Sequence, residues 1–60
     1  MDDAARLNQL RHDLANPLGA LLAEVQLLLL DEARLPPEVA ASLRVIEEQA
    51  FRIRALLHDT

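Results

Sequence analysis

The sequence predicts an all-α fold, an antiparallel helical hairpin that dimerises into a four-helix bundle. Three observations carry that reading. Two long stretches place apolar residues at helical spacing, and only one break, DEARLPP, separates them. The composition is rich in Leu and Ala, with one Gly and one Phe, which suits helices rather than sheets. Finally, a 60-residue chain without cysteine must be stabilised by tight helix packing or self-association.

The first helix is expected from about residue 3 to 31. Asp2 and Asp3 suit its start, through capping and the macrodipole. Leu7, Leu10, Leu14, Leu18, Leu21, Val25 and Leu28 form its apolar stripe, widened by Leu22 and Leu29. His12 lies roughly 150° from the centre of that stripe and points to solvent, with Asn8, Asn16 and Gly19 on its side. The apolar spacing slips between Leu10 and Leu18, where two consecutive steps of four replace the alternation. Pro17 sits at the same place. A proline inside a helix removes one hydrogen bond and clashes with the carbonyl four residues back, at a cost of about 3 kcal/mol. That carbonyl belongs to Asp13. A local rule broken beside a reactive side chain points to function.

The turn is expected over about 32 to 36. Pro36 disfavours a helical Leu35, and Pro37 suits the first turn of the second helix. So short a connection makes the helices antiparallel neighbours. The second helix is expected over about 37 to 58. Val39, Leu43, Ile46, Ala50, Ile53 and Leu57 alternate steps of four and three, a heptad seam. Arg44 and Glu48 are neighbours four residues apart on its outer flank, spaced for an ion pair. Phe51 is expected against a dimer partner, and His58 is expected only to complement the macrodipole at the helix end. The first stripe is too wide for one partner helix. Two hairpins about a two-fold axis close it, so a homodimer follows.

Several functional classes are excluded. The net charge is -4 and all six basic residues are Arg, with no basic face or stacking platform, so no nucleic-acid partner is expected. The apolar stretch Val25 to Leu30 is interrupted by Gln26 and falls far short of the roughly 20 residues that span a bilayer. The acidic N-terminus is no signal peptide. A soluble, cytoplasmic segment without membrane contact is expected, and a longer parent protein remains free to carry a membrane anchor. No ligand cluster suggests a metal.

The stretch HDLANPLGALLAEVQLLL resembles the first helix of the dimerisation and histidine-phosphotransfer domain of two-component sensor histidine kinases. The matching motif is His12, Asp13, Leu14, Asn16, Pro17 and Leu18; Ala15 departs from it, since the family often has a basic residue there. VAASLRVIEEQAFRIRALLHD is similar to the second helix, less specifically. The resemblance implies that His12 takes the γ-phosphoryl group of ATP from a separate catalytic domain and passes it to a response-regulator aspartate. It implies that Asp13 acts as general base or orients the ring, and that Asn16 positions a water for phosphatase chemistry. Pro17 is the helix kink. Gly19, Ala20, Ala23 and Leu27 continue the His12 side as a smooth regulator-binding surface. No glycine-rich nucleotide lid occurs in these residues, so no cofactor is expected on this piece; ATP and Mg²⁺ come with the kinase domain. The piece alone is therefore not expected to autophosphorylate. Two other readings stay open: a stand-alone phosphorelay intermediate and an inert dimerisation hairpin.

Overall fold

The computed structural model describes residues 2–59. Two antiparallel helices, α1 (Asp3–Leu29) and α2 (Pro37–Asp59), form a hairpin about 49 Å long. Between them lies a short 3-10 turn, Glu32–Arg34. No strand occurs among the described residues.

Each end of α1 has a chemical cause. Asp2 is the N-cap, and its carboxylate accepts the Ala5 N–H at 2.7 Å, satisfying one of the four orphan donors there. At the other end α1 stops at Leu29. The Leu30 N–H still reaches the Gln26 carbonyl at 3.1 Å, but Asp31 leaves the helical region at φ -113° and ψ 41°. Arg34 and Leu35 then donate to Asp31 and Glu32, closing the 3-10 turn. Leu35 is extended, as a residue before proline prefers, and Pro37 opens α2 where its missing N–H costs nothing.

The turn is tied to α2 by a two-pronged ion pair. Arg44 donates from Nε to Glu32 Oε1 at 3.1 Å, and from its terminal nitrogen to Oε2. The expected Arg44–Glu48 pair is thus replaced by Arg44–Glu32. The fork of a guanidinium matches both carboxylate oxygens at once, which a neighbour on the same helix rarely offers. The hydrogen bond to Glu32, then its charge, holds the Arg44 pKa above its ordinary value.

The hydrophobic residues divide into rows seven apart. Leu18 and Val25 of α1 are buried, as is Leu22, the most enclosed side chain at 2% exposure. From α2, Ala50 is buried, with Leu43 and Leu57 half-buried beside it in the same row. The complementary rows, Leu7, Leu14, Leu21 and Leu28 of α1 and Val39, Ile46 and Ile53 of α2, are exposed. Leu22 was expected at the edge of the stripe; it lies at the centre of the α1–α2 contact. The reason is the width of the stripe: one helix covers one flank and leaves the other open. Among the described residues three large apolar side chains are buried, Leu18, Leu22 and Val25, whereas thirteen are exposed. That balance is inverted for a stable isolated domain of this size.

Candidate functional site

His12 sits in the middle of the N-terminal half of α1, exposed and without a hydrogen-bond partner among the described residues. It borders a cleft of about 330 Å³ between the start of α1 and the last turns of α2. Asn8 and Arg11 flank it on its own helix, and Arg54 and His58 face it from α2. The antiparallel register makes this so: the last turn of α2 returns beside the third turn of α1.

Asp13 does not meet His12. Its carboxylate accepts a hydrogen bond from the Gln9 side-chain amide at 3.0 Å. The two residues are adjacent, so their side chains leave the helix about 100° apart. Gln9, four residues back on the same face, is the natural partner. Asn16 is exposed one turn after His12, on the same side of α1.

Pro17 is also exposed, and α1 runs through it without interruption. Its ring nitrogen bears no hydrogen, so the Asp13 carbonyl loses its usual intrahelical donor. The turn that carries His12, Asp13 and Asn16 is therefore one backbone bond short, although the helix remains helical.

Beyond Pro17 the same side continues with small residues. Gly19 is half-buried, while Ala20 and Ala23 are exposed. A Cβ added at Gly19 would meet nothing within 4 Å. Packing inside the hairpin thus does not require this glycine, even though glycine in a helix costs about 1 kcal/mol relative to alanine. Leu27, one further turn along, is 62% exposed.

His58 was expected only as a helix-end residue, yet it shares the cleft with His12. The antiparallel register of the hairpin is the signal that could have found it, since it returns the last turns of α2 to the N-terminal half of α1. Phe51, expected against a partner, is 42% exposed, with the Arg54 guanidinium carbon 5.6 Å from its ring centroid. This cation–π contact between residues three apart steers Arg54 along α2.

Among the described residues no group of three or more His, Cys, Asp or Glu side chains gathers as metal ligands, and no helix is long and apolar enough to cross a membrane. The described residues thus form an all-α hairpin that displays an exposed histidine beside an in-helix proline and leaves one apolar face open. Residues 5–60 match the model of the family described as His Kinase A (phospho-acceptor) domain, and the chain belongs to that family. No curated protein and no solved structure matches it. Its role is accordingly that of the phosphoacceptor and dimerisation domain of a histidine kinase in a two-component system.

Proposed function

We propose that His12 is the phosphoacceptor. It attacks the γ-phosphate of ATP held by a separate kinase domain and then yields the phosphoryl group to an aspartate of a response-regulator receiver domain. The observation that carries this reading is the exposure of His12 within the HDLANP motif of a chain that belongs to the phospho-acceptor family. A nucleophile for phosphoryl transfer must be reachable and free to approach the phosphorus in line. Among the described residues the His12 side chain makes no hydrogen bond that must break first.

The domain works as a homodimer in this reading. The exposed rows of α1 and α2 border one apolar groove, lined by Leu21, Val25, Val45, Ile46 and Ile53 among others. Rows seven residues apart on two neighbouring helices are what a second hairpin presents about a two-fold axis. ATP and Mg²⁺ arrive with the kinase domain, and positioning plus charge stabilisation supply the rate. The segment works in the cytoplasm, where ATP and receiver domains are found. Asp13 orients the ring by exchanging Gln9 for His12, an adjustment eased by the backbone bond missing at Pro17.

The test is a reaction between components. Incubation with a sensor-kinase ATP-binding domain, Mg²⁺ and γ-labelled ATP should give an acid-labile, base-stable label on this chain. An unlabelled chain, with the kinase domain active on another substrate, would leave the inert-hairpin reading. Omission of the kinase domain should give no label.

Two further outcomes follow from the surface along α1. Asn16 is suited to orient a water towards the phospho-aspartate of a docked regulator. Asn16→Ala should lower regulator dephosphorylation about tenfold or more while transfer from His12 persists, as for loss of one general-base or positioning group. Equal dephosphorylation by both chains would remove Asn16 from that role. The regulator docks along Gly19, Ala20, Ala23 and Leu27, where small side chains admit a close helix. Leu27→Glu should abolish transfer to the regulator and leave phosphorylation of His12 intact, because burying an unpaired carboxylate in an interface costs several kcal/mol. Unchanged transfer kinetics would move the docking surface elsewhere.

A further inference from the structure

The cleft beside His12 is cationic on the α2 side, and the family role alone does not explain why. Arg54 and His58 are four residues apart, so they project from one face of α2, and both line the cleft that His12 borders. Neither is needed for the core, since both are exposed. Their location opposes the helix dipole in its effect on an anion. The C-terminal end of α2 carries about half a negative charge, which would repel a phosphoryl group brought to this end of the hairpin. Asp59 adds to that repulsion but does not line the cleft. Two cation-capable side chains on the inward face reverse the local sign. Arg54 is also partly fixed beforehand by its contact with Phe51, so less side-chain freedom is lost when it engages a ligand.

We propose that this cleft seats the phosphoryl group of phosphorylated His12, with the Arg54 guanidinium as its principal anion partner and His58 as a second donor. The inference rests on His12 being the phosphoacceptor and adds the residues of α2 that hold the transferred group. The planar guanidinium fork binds two phosphoryl oxygens at once, a geometry that an ammonium cannot reproduce. His58 donates one ring N–H to the third oxygen. With Arg11 and His12 on α1 and Arg54 and His58 on α2, no acidic side chain lines the cleft among the described residues.

A small phosphoryl donor tests this without the kinase domain. With phosphoramidate, a ring-nitrogen lone pair of His12 forms the N–P bond, the P–N bond of the donor breaks, and ammonia leaves with that electron pair. The ring proton on the other nitrogen passes to solvent. The rate of labelling and the lifetime of phosphorylated His12 are read by phosphorus NMR on the full chain. Arg54→Ala should slow labelling about tenfold, the scale of one lost charged hydrogen bond, and Arg54→Lys should recover part of it. His58→Gln should have a smaller effect in the same direction. Arg52→Ala removes the same charge from α2 outside the cleft and should label at the wild-type rate. Circular dichroism and sedimentation of each variant report any loss of fold separately. Wild-type rates in a folded Arg54→Ala chain, or equal slowing in Arg52→Ala, would overturn the inference. So would failure of phosphoramidate to label wild-type His12. The phosphoacceptor reading itself is judged apart, by the kinase-domain reaction.

Discussion

Ile46→Glu is expected to dissociate the protein into largely unfolded monomers at micromolar concentration. Ile46 is 50% exposed in the single hairpin and borders the apolar groove with Leu21 and Ile53. In the proposed dimer it lies in the closed interface, where a carboxylate has neither water nor a partner. Breaking or omitting one partner of a buried charge costs about 3–5 kcal/mol, and a two-fold axis applies each substitution twice. A domain of this size holds only a few kcal/mol in reserve. Among the described residues the core of one hairpin holds three large buried side chains, Leu18, Leu22 and Val25, too few to hold it folded alone. Sedimentation and far-ultraviolet circular dichroism measure both consequences. Ala55→Glu is the control, since Ala55 is exposed and roughly half a turn of the helical wheel away from Ile46. A folded Ile46→Glu monomer with wild-type helicity would show that the hairpin needs no second copy.

His12→Gln is expected to reduce phosphoryl labelling to background while fold and assembly stay unchanged. The imidazole offers a nucleophilic ring nitrogen, whereas the carboxamide nitrogen of Gln is delocalised and does not attack phosphorus. The ring is exposed and makes no hydrogen bond among the described residues, so its removal leaves no buried group unsatisfied. Surface substitutions of this kind stay within about 0.5 kcal/mol. Loss of label together with unchanged helicity thus separates chemistry from structure. Undiminished label in the variant would place the acceptor elsewhere, with His58 the first candidate.

Much of this was legible in the residues themselves. Helical spacing of Leu and Ile, the Asp2 cap and the Pro36–Pro37 punctuation act within a few residues, so a sequence reports them directly. The exposure of His12 followed from its angle to the apolar stripe. Three features were not legible, each because it depends on how the two helices meet. The stripe of α1 was seen as one band, but only packing against α2 decides that Leu18, Leu22 and Val25 go inside while Leu14, Leu21 and Leu28 stay out. Arg44 had a plausible neighbour in Glu48; the 3-10 turn brings Glu32 closer and in a better orientation. His58 gave no local signal at all, since its place beside His12 comes from hairpin register. Asp13 is the converse case, adjacent in sequence to His12 yet turned away from it to Gln9.

Location of the phosphorus is the most direct measurement of all. The chain contains two histidines, His12 and His58, so ring-nitrogen-to-phosphorus correlations on the phosphorylated protein distinguish them without mutation. A single N–P linkage on His12, with His58 unmodified, is predicted. Phosphate on His58, or on no histidine after an otherwise productive reaction with the kinase domain, would contradict the assignment of His12 as the acceptor.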